Sequence, residues 1–84
     1  MSLKLYLVTC ELFDSGDYAS FRERLRTMEA KQVLGTQWAV RTTLTANQLK
    51  NALREFLADR DRIVVAEIGE ERSSRRALSN LAEL

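Results

Sequence analysis

The chain contains no histidine. That removes Ser-His-Asp and Cys-His nucleophilic catalysis, the imidazole proton shuttle and histidine zinc ligation. Its three glycines are scattered over 84 residues, so no loop of the G-x-G-x-x-G or G-x-x-x-x-G-K type exists to wrap a phosphate. One cysteine, Cys10, excludes an intrachain disulfide. Its place in an apolar run fits a reducing cytoplasm. No apolar run approaches the roughly 20 residues that span a bilayer, and no membrane partner is expected. Met1-Ser2-Leu3 leads into a strand pattern rather than the apolar stretch and small residues of a signal peptide. A dominant charge is also missing: 13 basic against 12 acidic residues give +1. Any binding of nucleic acid must therefore use a local patch rather than a global field.

What is present is an ordinary globular composition, 45% hydrophobic and 30% charged. One domain of this length buries roughly 60–65% of its unfolded surface, a marginal core for which association is a common remedy. Leu3 to Leu12 is nearly continuously apolar, with Leu3, Leu5 and Leu7 on one face and Tyr6, Val8 and Cys10 on the other. A helix follows, with Asp14, Ser15 and Asp17 as candidate caps and Tyr18, Phe21, Leu25 and Met28 as its apolar stripe. Lys31 to Thr42 reads as two short strands turning near Gly35. Trp38, Val40 and Thr42 share one face there, and Gln37, Ala39 and Arg41 the other. Thr45-Ala46-Asn47-Gln48 is a capping box for a second helix whose stripe is Leu49, Leu53, Phe56 and Leu57. Ile63 to Ile68 is a fourth strand, and Gly69 ends it.

The order β-α-β-β-α-β predicts an α+β fold on the ferredoxin-like plan: a four-stranded antiparallel sheet with two helices on one face. Residues 1–69 form this domain. Residues 70–84 form a charged link and a tail with a short C-terminal helix, for which Ser73 or Ser74 is a candidate cap and Leu78, Leu81 and Ala82 the apolar face. The first and fourth strands are apolar at both parities, which places them at the sheet centre. The helix-free face then needs a cover, and a second copy of the chain is the simplest one; the expected homodimer covers that face or joins sheet edges. The expected core includes Leu5, Leu7, Phe21, Leu25, Leu53, Phe56 and Val65.

Four segments in order carry a family resemblance: Tyr6-Leu7-Val8-Thr9-Cys10-Glu11-Leu12, Thr36-Gln37-Trp38-Ala39-Val40-Arg41-Thr42, Leu44-Thr45-Ala46-Asn47-Gln48-Leu49 and Arg62-Ile63-Val64-Val65-Ala66-Glu67-Ile68. Together they resemble the small bacterial SinR-family or CRISPR-associated Cas-two-like proteins, over roughly residues 3 to 68. The resemblance implies a ferredoxin-like homodimer. It also implies a divalent-metal site for phosphodiester cleavage at the end of the first strand, or a non-catalytic scaffold role. Cys10-Glu11 matches the family's Tyr-Asp-like pair in position, with a carboxylate one methylene longer and a thiol as its neighbour.

Glu11 is accordingly the candidate catalytic residue and, with Asp14, the candidate metal ligand. One carboxylate per subunit, paired across a two-fold axis, can hold Mg²⁺ with water and phosphate completing the shell. Apart from this possible Mg²⁺ the sequence specifies no cofactor. The alternative is a loop-edge carboxylate favoured by a helix N-terminus. Arg72, Arg75 and Arg76, together with Arg41, are the candidate nucleic-acid contacts. Arg22, Arg24 and Arg26 interleave with Glu23 and Glu29 and read as a salt-bridged surface. Trp38 reads as core or interface, because its strand lacks the glycine and paired aromatics of an RNA-recognition sheet. Cys10 reads as buried and inert. The expected function is a homodimeric binding or scaffold module for nucleic acid or a protein partner. The alternatives are a Mg²⁺-dependent endonuclease acting through Glu11 and a small-ligand regulatory domain.

Overall fold

A computed structural model describes residues 3–13, 18–69, 72–73 and 75–84. Asp14, Ser15, Asp17, Glu70, Glu71, Ser74 and the side chain of Ala82 lie outside the described residues. The elements follow the order β1 (Lys4–Glu11), α1 (Ala19–Thr27), β2 (Lys31–Leu34), β3 (Gln37–Thr42), α2 (Ala46–Arg54) and β4 (Arg62–Glu67). All strand pairs are antiparallel and the sheet order is β2-β3-β1-β4. This is the α+β, ferredoxin-like arrangement.

Alternation along β1 divides the protein into two apolar layers. Tyr6, Val8 and Cys10 meet Trp38 and Val40 from β3, Phe21 and Leu25 from α1, and Leu49 and Leu53 from α2. Both helices therefore cover the same face. Phe21 is fully buried and meets Trp38 edge-to-face, with centroids 5.6 Å apart and planes at 86°. Tyr6 is buried without cost to its hydroxyl, which donates to the Leu44 carbonyl at 2.8 Å. The capping box forms as read: Gln48 N–H donates to Thr45 Oγ1 at 3.1 Å and Thr45 N–H to Gln48 Oε1 at 2.9 Å.

α1 ends in a way the sequence does not announce. Met28 caps it and Glu29 takes φ 57°, the left-handed region that favours glycine. Ala30 N–H then donates to the Leu25 carbonyl and Glu29 N–H to the Arg26 carbonyl, each at 3.0 Å. That pair of bonds is the Schellman stop, here with glutamate where glycine is usual.

Two expectations are corrected. β1 and β3, not β1 and β4, are the central strands; β4 is an edge. β3 qualifies because Trp38 and Val40 face the helices while Ala39 is buried on the opposite side. β4 is apolar at both parities, yet only its helix side is packed, and Val64 on the other side is 62% exposed. Second, Phe56 is not core. α2 stops at Arg54 and the chain tightens, with Phe56 N–H donating to the Leu53 carbonyl and Leu57 N–H to the Arg54 carbonyl. Phe56 is left 36% exposed while Leu57 packs on the core. In the tail, the regular structure among the described residues is the short 3₁₀ helix Leu81–Glu83, and Leu78 is 66% exposed.

The tail folds over the helix-free face. Leu5, Val33 and Ala39 are buried there, with Leu7, Ile68, Ala77, Leu81 and Leu84 packed against them. Leu78 N–H donates to the Val33 carbonyl at 2.8 Å. Much of the cover expected from a second copy is thus supplied by the chain itself, and the part left open lies along β4.

Candidate functional site

Glu11 ends β1, exposed, on the helix-free face. The antiparallel register sets it opposite Arg62, the first residue of β4. The two side chains form an ion pair at 3.3 Å, both largely in solvent, a contact worth at most about 1 kcal/mol. The Arg62 guanidinium also lies over the Phe13 ring, 5.2 Å from its centroid. Arg60 lines the same shallow depression as Phe13 and Arg62. The end of the sheet is therefore an exposed corner with one carboxylate, two guanidiniums and an aromatic ring. Among the described residues no three of the Cys, Asp and Glu side chains converge in a way that suits a metal ion. Asp14, the expected second ligand, lies outside the described residues.

Asp61 holds this corner together from within. One of its oxygens accepts from Phe13 N–H and from the Tyr18 hydroxyl, both at 2.9 Å. The other accepts from Ala58 N–H at 2.7 Å. One carboxylate thus ties the loop after β1 to the loop before β4. Desolvation works to raise its pKa, but the bonds from Phe13, Ala58 and Tyr18 and the charge of Arg60 outweigh that, and the net direction is down. Asp61 also acts on Cys10. Burial first, then the Asp61 charge, push the thiol up to about 11, which makes it a poor nucleophile and metal ligand at neutral pH. Cys10 is buried, as read.

The candidate arginines separate. Arg72 turns its guanidinium inward and donates to the carbonyls of Gly69 at 2.7 Å, Leu81 at 3.0 Å and Leu84. It fastens the tail to the end of β4. Arg75 and Arg76 are exposed, Arg76 with φ 56°. Arg41 is exposed on the helix-free face, at a groove of about 390 Å³ lined also by Leu3, Leu5, Lys31 and Leu84. On α1, Arg26 is held by Glu23 through two bonds of 2.6 and 2.9 Å. Of the salt-bridged surface expected there, this is the pair found among the described residues.

The residues that sequence reading passed over are Phe13, Asp61 and Arg62. Asp59-Arg60-Asp61-Arg62 shows itself only as a charged turn. Only the pairing register puts Arg62 beside Glu11, and only the loop packing puts Phe13 and Tyr18 on Asp61. No helix among the described residues is long and apolar enough to cross a membrane. No family model, curated protein or solved structure matches the chain.

Proposed function

We propose that the protein is a homodimeric binding module of the Cas-two-like kind that engages nucleic acid and does not cleave it. The observation that carries this reading is the state of Glu11: its carboxylate is engaged by Arg62 across the strand pair, and Arg62 in turn rests on Phe13. A cation and an aromatic ring side by side suit a phosphate and a stacked base. Among the described residues Arg41, Arg75 and Arg76 form no ion pair and remain available to phosphates. Near-zero net charge makes such binding moderate and strongly dependent on salt.

The test is fluorescence anisotropy with labelled single-stranded RNA and double-stranded DNA, over a salt series, followed by gel analysis of the same mixtures with Mg²⁺ or Mn²⁺. Salt-sensitive binding, weakened in Arg62→Ala and in Arg75→Ala/Arg76→Ala, with the strands left intact, is the expected result. The runner-up is a Mg²⁺-dependent nuclease, favoured by the exposure of Glu11 at a strand end. Metal-dependent cleavage lost in Glu11→Gln establishes that reading instead. Absence of binding at tens of micromolar protein turns the scaffold role toward a protein partner.

A further inference from the structure

The two edges of the sheet are finished differently. β2 is short, carries a lysine at its start, has a register irregularity between Gln32 and Leu34, and receives a hydrogen bond from the tail at Val33. These are the usual devices that stop a strand from pairing further. Among the described residues β4 shows none of these four features, and its charges, Arg62 and Glu67, stand only at its two ends. It is a regular strand, Arg62-Ile63-Val64-Val65-Ala66-Glu67, without lysine, glycine or irregularity, and the chain has no proline at all. Among the described residues the sheet stops at β4.

Which groups face outward follows from the ladder. Ile68 N–H donates to the Leu5 carbonyl, so even-numbered residues of this segment point their backbone groups at β1. Those of Ile63, Val65 and Glu67 then point away from it. On the helix-free face, Val64 and Ala66 are exposed beside this edge, beyond the reach of the tail.

We infer that β4 pairs antiparallel with β4 of a second copy about a two-fold axis through Val65, joining two sheets into one of eight strands. The inference rests on the homodimer reading above and gives that dimer its interface and register. A two-fold axis perpendicular to the sheet keeps each face on its own side, so opposed residues share parity. Centring on Val65 pairs it with its own copy and sets Ile63 opposite the partner's Glu67. Three outward residues per strand, each with one N–H and one C=O, make a ladder of about six bonds. Val64 then lies against the partner's Ala66, which removes exposed apolar surface from water. The neighbouring registers are worse. Centring on Val64 sets Asp61 opposite the partner's Glu67, two like charges, and the Asp61 N–H is already given to the Ala58 carbonyl. Centring on Ala66 brings the two Glu67 carboxylates onto adjacent diagonal positions and uses fewer outward groups.

The test combines mass and cross-linking on the full chain. Light scattering at tens of micromolar reports two chains per particle. Val64→Lys, which sets two ammonium groups on neighbouring diagonal positions, weakens association about tenfold or more with an unchanged circular dichroism spectrum. Single variants Val64→Cys and Ala66→Cys are then mixed under mild oxidation by glutathione disulfide. The opposed, non-hydrogen-bonded pair has Cα atoms about 4.5 Å apart, within disulfide reach. Val64→Cys alone is offset by two residues and lies beyond it. A cross-link that forms in the mixture and not in either variant alone is the expected result. A dimer that fails to cross-link in the mixture overturns the β4 pairing and leaves the homodimer reading standing. A single chain per particle overturns both. If Val64→Lys fails to fold, the two cysteine variants still decide the matter.

Discussion

Phe21→Ala tests the layer of core that unites both helices with the central strands. Phe21 is fully buried against Trp38, Leu25 and the strand residues between them. Truncating such a phenylalanine costs about 3–5 kcal/mol, from lost transfer energy and the cavity left behind. The edge-to-face contact contributes about 0.5–1.5 kcal/mol of that. A domain of this length has a total stability of about 4–13 kcal/mol, so the variant loses a large share of it. With a urea slope of about 1 kcal/mol/M for a small protein, the midpoint falls by about 3–5 M. Trp38 is the sole tryptophan, is buried, and touches the mutated ring, so its fluorescence reports the transition directly. Phe21→Leu keeps most of the volume and costs about 1.5 kcal/mol or less. Phe56→Ala, at a third-exposed position, costs about 1 kcal/mol or less. Equal losses for Phe21→Ala and Phe56→Ala, or a Phe21→Ala midpoint within about 1 M of the parent, would refute the assignment of the helix faces.

Other outcomes follow from the loops and the tail. Asp61 has a depressed pKa in the folded state, so its contribution is fully present above the unfolded aspartate value of about 4 and is lost as pH falls through the lower folded value. Asp61→Asn should therefore be less stable than the parent at pH 7, and their melting temperatures should converge as pH is lowered below about 4. Glu29→Gly should raise stability by about 0.5–1 kcal/mol in urea melts, since it relieves a left-handed glutamate at the Schellman stop of α1. Arg72→Ala should free the tail, seen as faster proteolysis and amide exchange over residues 77–84 with the helix-side core still protected. Cys10, with its thiol pushed up to about 11, should resist alkylation at pH 8 until the protein unfolds.

Much of the fold was legible because its signals are local. The capping box at Thr45 and Gln48, the stripe Phe21-Leu25 and the alternation of β1 each depend on residues a few positions apart. What was not legible depends on distance or on departures from preference. The edge position of β4 escaped because Ile63-Val64-Val65-Ala66 is as apolar as a central strand while its outer side has no cover. The end of α1 escaped because glutamate stands at a position where glycine would have marked it. The role of the tail escaped because Ala77, Leu81 and Leu84 have no helical continuity and gain meaning only against Leu5, Val33 and Ala39. At the candidate site, Glu11 was found from its place at a strand end. Its partners were not, because Arg62 reaches it through the register and Asp61 acts through two loops far apart in sequence. Arg72 was grouped with Arg75 and Arg76 by proximity, while its guanidinium is occupied by carbonyls of the tail.

The sheet is covered by helices on one side and by its own tail on part of the other, and its β4 edge is left open among the described residues, where the proposed pairing would lie. Amide exchange followed by NMR at several protein concentrations tests this most directly. The amides of Val64 and Ala66 point to β1 and should be protected at every concentration. Those of Ile63, Val65 and Glu67 should exchange rapidly in dilute solution and slow together as concentration rises through tens of micromolar. Rapid exchange of these three amides at all concentrations, with Val64 and Ala66 protected throughout, would contradict the account.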